Sequence, residues 1–226
     1  MAGRIGYRAA ALLLAERDPV LARLVAELGL PRVPVARESP FATLVRSIVY
    51  QQLATAAARA IHGRLIAALG GEVTPQRLLA TPEPVLRAAG LSGRKVLSLR
   101  DLSARVVDGT IGLDPRRLGR LTDAEITARL TTVTGIGKWS ADIFLLFRLR
   151  RLDVWPTGDL AVRKGYGLAW AVPTPTERQL VPLGEPYRPY RSVVAWYCWQ
   201  AVRAYTDRPD ASRRRPSTVH GRGVSG

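Results

Sequence analysis

At 226 residues, with 47% hydrophobic and 23% charged side chains, the chain is long enough to bury a full core as one large or two small domains. Its 34 basic against 18 acidic residues give a formal net charge of +16 and a pI near 11.2, which implies a polyanionic partner. A single cysteine, Cys198, excludes an intramolecular disulfide and any four-cysteine cluster, and the apolar run from Ala9 to Ala15 is too short for a membrane span, so a cytoplasmic protein is expected.

In chain order, residues 7–30 carry a helical pattern split at Asp18-Pro19, which supplies an N-cap and a first helical residue; the second helix ends at Gly29. Residues 30–37 form a proline-broken connector. Ser39-Pro40 opens a helix with Phe41, Leu44, Val45, Ile48 and Val49 on one stripe. Thr55 is the expected N-cap of a helix over 56–69, which leaves Gln52 and Leu53 at the junction. Thr74-Pro75 and Thr81-Pro82 repeat the cap-then-proline signal, giving two short helices that end at Gly90. Residues 90–109 read as one helix capped by Ser92, with Val96, Leu99, Leu102 and Val106 inward and Arg94, Lys95 and Arg100 outward. Residues 112–119 read as a short turn. Thr122 and Glu125 then make a capping box, so a helix runs from there to about Thr132.

The next stretch, Thr134-Gly135-Ile136-Gly137, is a tight turn before a second helix over about 138–150. Glycines let the backbone turn sharply and approach a bulky partner closely. Unpaired amides at a helix N-terminus attract an anion, so the turn suits a phosphate. On the turn alone, a plain connection between two helices stays open beside a phosphate-gripping hairpin. Farther on, Gly158-Asp159 before Leu-Ala-Val-Arg places Asp159 as N-cap of a helix over 160–170, where the helix dipole favours negative charge. Asp142 and Asp153 are competing carboxylates with structural roles. Residues 172–189 are a loop with at most a short helix. A long helix follows, in which Trp196 and Trp199, three apart, share a face. The last twenty residues, 207–226, have no apolar period and read as a disordered basic tail.

Four blocks over about residues 39–205 together resemble the alkylation-repair 3-methyladenine DNA glycosylases, in their short, all-helical form, within the helix-hairpin-helix superfamily. SIVYQQLAT resembles the family's S-I-x-x-Q-Q-x-[SAT] segment, GLSGRK its G-[LI]-S-x-x-K segment, and EPYRPYRS its W-x-P-[WYF]-R-S segment. GIGKWSA is followed by an acidic residue twenty positions after Trp139, at Asp159, as in the superfamily. Thr134 stands where proline is common, and Ile143 where some relatives carry an aromatic.

The resemblance implies an all-α domain over 1–206 of two interleaved helical subdomains with a DNA-binding cleft between them. Residues 38–105 would form most of one lobe and 1–37 with 106–206 the other. The partner implied is double-stranded DNA with alkylated bases, bound by a monomer away from any membrane. The reaction implied is release of a flipped 3-methyladenine or 7-methylguanine, which starts base excision repair. Asp159 would stabilise the oxocarbenium-like sugar and orient water. Trp139, Trp199, Tyr197 and Ile143 would line the base pocket, although at least one of Trp196, Tyr197 and Trp199 should serve packing alone. Backbone amides of Gly135, Gly137 and Ser140, with Lys138 beside them, would hold a phosphate. Leu53 or Gln52 would fill the gap left by the flipped nucleotide. Carbonyls of Thr131, Val133 and Ile136 are a candidate monovalent-cation site; no other cofactor is implied. Bifunctional members carry a nucleophilic lysine where this chain has Trp139, so the resemblance is to the monofunctional branch. A bifunctional glycosylase/lyase acting through Lys138 and a non-catalytic DNA-binding hairpin are the rival readings.

Overall fold

The structure, a computed structural model, describes residues 5–35 and 37–206; the expected basic tail lies outside the described residues. Every regular element described is helical: α1 (Tyr7–Ala15), α2 (Pro19–Leu28), α3 (Pro40–Tyr50), α4 (Thr55–Ala68), α5 (Pro75–Ala80), α6 (Glu83–Ala88), α7 (Gly93–Val107), α8 (Pro115–Arg120), α9 (Asp123–Leu130), α10 (Lys138–Ile143), a π-helical turn (Phe144–Arg148), α11 (Leu160–Trp170), α12 (Glu177–Leu183), a short 3₁₀ turn (Glu185–Tyr187) and α13 (Arg191–Thr206). None of these helices is long and apolar enough to cross a membrane.

Side-chain caps fix most of the helix starts. Asp18 accepts from the Val20 and Leu21 amides at 2.7 and 3.1 Å, and its other oxygen accepts from the Tyr187 hydroxyl at 2.7 Å, tying the first helices to the carboxy-terminal part. Ser39, Thr74 and Ser92 cap α3, α5 and α7, and Thr122 with Glu125 closes the capping box of α9. Four local expectations are corrected. Thr55 is the first residue of α4 and Ala54 holds the cap position without a side-chain bond. Thr81 closes α5, its hydroxyl donating to the Arg77 carbonyl, and Pro82 stands before α6. Asp114-Pro115 starts a helix, α8, where a turn was expected, by the same cap-then-proline logic. The outward set on α7 shrinks to Arg94, because Lys95 donates to the Val49 and Gln51 carbonyls and Arg100 to the Thr81 carbonyl.

The helices pack in two groups. In one, α11 lies against α13, and α2 touches both, with α1 packed on α2 and α13; in the other, α3, α5 and α6 pack on α7, and α4 touches α3 and α6. The α10 helix packs on α9 and the π-helical turn, and both α10 and that turn contact α3 of the second group. Gly165 lets α11 meet α13 backbone to backbone, beside Cys198, which is completely buried and whose thiol pKa is pushed up by that burial. Native protein should therefore resist thiol-specific reagents, and Cys198 should be titrated only after denaturation, a difference readable by absorbance.

Candidate active site

The turn between α9 and α10 is fixed from three sides. Gly135 has φ of +81°, and a Cβ there would lie 2.3 Å from Ser98 Oγ of α7, so both its conformation and its surroundings require glycine. The Thr134 amide donates to Asp101 Oδ2 at 2.7 Å. Gln51 Nε2, at the end of α3, donates to the Gly135 carbonyl at 3.0 Å and to Ser140 Oγ at 3.1 Å. Lys95 Nζ in turn holds the Val49 and Gln51 carbonyls at 2.7 and 3.0 Å, and burial lowers its pKa. Val133 and Ile136 anchor the turn in the core while Gly135 and Gly137 face outward. Gly137 caps α10 without offering a side-chain acceptor, so the first amides of that helix have no intrahelical partner.

A cleft of about 640 Å³ runs beside this turn, lined by Gln51, Gln52, Arg94, Lys95, Gly135, Gly137, Trp139 and Ser140 among others. Gln52 lines the cleft with φ of +56°, and Leu53 beside it in sequence is 38% exposed. Two predictions arise here. Gly135→Ala should lose roughly 1–3 kcal/mol of stability and weaken duplex DNA binding, as read by thermal unfolding and fluorescence anisotropy. Burial works to raise the Asp101 pKa, but the Thr134 amide and Arg105 outweigh it, leaving the carboxyl below its ordinary value. Its contribution is then present above the unfolded-state pKa and lost as pH falls through the folded one. Wild type should therefore lose more of its melting temperature between about pH 6 and pH 3 than Asp101→Asn does.

Asp159 sits at the N-cap of α11, 8% exposed, and three neutral donors hold its carboxylate. Oδ1 accepts from the Val162 amide at 2.9 Å and from Trp199 Nε1 at 3.3 Å; Oδ2 accepts from Trp139 Nε1 at 2.7 Å. The carboxylate lies in the wall of a cavity of about 730 Å³ with Trp139, Ile143, Phe147, Trp196 and Trp199, and with Arg32 and Arg203 also lining it. The Phe147 and Trp199 rings lie 5.4 Å apart at 32°. Trp139, Ile143 and Phe147 also border a neighbouring, mostly apolar cavity of about 400 Å³. A fixed anion beside a wide aromatic slot can stabilise positive charge that develops next to a flat, π-rich group.

Of the four residues expected in the base pocket, Trp139, Trp199 and Ile143 line the cavity and Tyr197 does not. Tyr197 is 0% exposed, and its hydroxyl donates to the Gly29 carbonyl at 3.0 Å. One residue along α13 from Trp196 is about 100° of rotation, which carries it into the core. Trp196 shares the cavity face with Trp199. Lys138 is absent from that cavity's lining; its ammonium pairs with Asp142 Oδ2 at 2.7 Å. Asp142 is buried, which raises its pKa against the pull of Lys138, and Asp153 is engaged by Arg188 and Arg191. Thr131 is exposed at the end of α9, and the Val133 carbonyl accepts from the Ile136 amide at 3.0 Å. Among the described residues no group of three or more His, Cys, Asp or Glu is placed to hold a metal.

Phe147, Gln51 and Asp101 were not singled out from the sequence. Phe147 follows Ile143 and Trp139 at four-residue steps, a spacing that puts all three on one face and was the available signal. The partners of Gln51 and Asp101 lie 84 and 33 residues away, beyond any local pattern.

The HhH-GPD family, described as a superfamily of base excision DNA repair proteins, matches residues 45–185. The chain is 34% identical over 173 residues to DNA-3-methyladenine glycosylase 1 of Schizosaccharomyces pombe, covering 75% of each sequence. The solved structure of a 3-methyladenine DNA glycosylase from that organism, in complex with abasic DNA, superimposes with a TM-score of 0.78 at 32% identity over 86% of this chain and 96% of that one. A DNA-3-methyladenine glycosidase from Bacillus halodurans gives 0.79 at 30% identity over 88% and 91%.

Proposed function

The chain belongs to the HhH-GPD superfamily of base excision DNA repair proteins, and we propose that it is a monofunctional DNA glycosylase that flips alkylated purines such as 3-methyladenine and 7-methylguanine out of duplex DNA and hydrolyses their N-glycosidic bond. The observation that carries this reading is the Asp159 carboxylate, held by two indoles in the wall of an aromatic cavity. As the bond between C1′ and the base nitrogen breaks, its electrons leave with the base and positive charge develops on the sugar. Asp159 stabilises that charge and orients the water that adds to C1′. Alkylation at N3 or N7 makes the purine cationic, which improves it both as leaving group and as a partner for Trp139 and Trp199. Cation–π attraction of this kind is worth roughly 0.5–2 kcal/mol.

The remaining roles follow from position. Amides of Gly135, Gly137 and Ser140 hold a backbone phosphate, with Lys138 adding charge beside them. The net charge of +16 supports the duplex as partner. Leu53, or Gln52 beside it, fills the gap left by the flipped nucleotide and offsets part of the few kcal/mol of lost stacking. The Val133 carbonyl keeps a second lone pair after accepting from Ile136, so it suits a monovalent cation shared with the Thr131 and Ile136 carbonyls. No other cofactor is required, and the protein acts as a monomer in the cytoplasm.

Release of free base from methylated duplex DNA, with strands examined before and after hot alkali, tests the reading. Methylated purines should be released, and strands should break only after alkali. Strand breaks without alkali, with borohydride trapping through Lys138, would make the protein a glycosylase/lyase. Tight DNA binding without release from methylated, deaminated or oxidised substrates would reduce it to a binding module.

A further inference from the structure

We propose that the Trp139 indole N–H is a positioning group for the Asp159 carboxylate, so that the residue serves the reaction through this bond as well as through its aromatic face. The inference rests on the glycosylase reading of the same site. The α11 N-terminus fixes Oδ1 through the Val162 amide, with a longer bond from Trp199. Among the described residues Trp139 is the one donor to Oδ2, at 2.7 Å, the short distance of a charge-assisted bond. A donor dipole draws off part of the field the sugar would feel. A carboxylate anchored at one oxygen only, however, is freer to turn about its Cβ–Cγ bond and to meet its new partner from water, which loses the preorganisation that makes such charges effective.

The donor's place in the chain adds a second consequence. Trp139 is 42% exposed and follows Gly137 by two residues, and the next residue, Ser140, accepts from Gln51 at the end of α3. The indole therefore rides on the same short segment as the hairpin. Seating the hairpin on a phosphate sets where the carboxylate's second oxygen points.

Two baseless probes separate this role from stacking: duplex DNA carrying a neutral tetrahydrofuran abasic analogue, and the same duplex carrying a cationic pyrrolidine analogue. Neither offers a base to stack on, and only the second is attracted by the carboxylate. Wild type should bind the pyrrolidine duplex more tightly. In Trp139→Phe that preference, taken as the ratio of the two affinities on the same variant so that any general change in duplex binding cancels, should fall roughly tenfold or more, the worth of one hydrogen bond to a charged group. Replacement of Trp139 by 3-benzothienylalanine, which exchanges the N–H for sulfur in a ring of almost the same shape, should behave alike and guards against a packing defect. A full preference in both variants overturns the proposal and leaves Trp139 as a wall. A wild-type protein with no preference overturns it too, and if that protein also releases no methylated base the glycosylase reading falls with it.

Discussion

Asp159→Asn is expected to lower release of methylated purines at least about 10³-fold while leaving duplex binding and the fold nearly intact. Asparagine is as good an N-cap as aspartate, so the bond from the Val162 amide can persist and the loss of stability should be confined to the Trp139 bond, about 1–3 kcal/mol. What the substitution removes is the charge. It also turns one of the two acceptor oxygens into an N–H₂ donor, and with Oδ1 kept at the Val162 amide that donor faces the Trp139 N–H. Single-turnover assays with enzyme in excess read the chemical step directly. A variant within tenfold of wild type would remove Asp159 from the chemistry and return it to the role of helix cap alone.

That a cap and a reactive group coincide at Asp159 explains how much of the site was legible beforehand. Caps are local: Asp18, Ser39, Ser92 and Thr122 each declare themselves within four residues, and the helices they start stand where expected. The failures at Thr55 and Thr81 are local too. Thr55 lies inside the helix it was expected to cap, and Thr81 closes the helix before it instead of opening the next, shifts of one or two residues that propensity cannot decide. The π-helical turn at Phe144–Arg148 left no trace, because one extra residue in a turn is invisible to a pattern of period 3.6. Spacing said that Trp196 and Trp199 share a face. It could not say which face meets the core, and Tyr197 was misplaced for that reason. Least legible were the bonds that bring separate helices to one place. Gln51 to the Gly135 carbonyl, Asp101 to the Thr134 amide and Trp139 to Asp159 each depend on packing that no single segment encodes.

Among glycine-to-alanine substitutions at the described residues, Gly165→Ala should have the largest effect on stability, and it should reach the site. A Cβ at Gly165 would lie 1.9 Å from the Cys198 carbonyl oxygen, 2.4 Å from its carbon and 2.7 Å from its Cα. All three are backbone atoms of α13, so no rotamer change relieves the overlap and the two helices must part. Overpacking of ordinary cores costs about 1–3 kcal/mol. With backbone on one side, a loss at or above the upper end is expected, which for a domain of this size lowers the melting temperature by roughly 6–12 °C. The separation is also functional, because Asp159 caps the start of α11 and α13 carries Trp199, and the bond between them is already 3.3 Å long. Base release from methylated duplex should therefore fall even at temperatures where the variant is fully folded, whereas duplex binding, which depends on the hairpin, should fall less. Gly63→Ala on α4 supplies the control: nothing lies within 4 Å of its Cβ position, and alanine there should be neutral or stabilising by about 0.4–1 kcal/mol. Equal melting temperatures for the Gly165 and Gly63 variants would mean that α11 and α13 are not in backbone contact, and the geometry that brings Trp199 to Asp159 would lose its support.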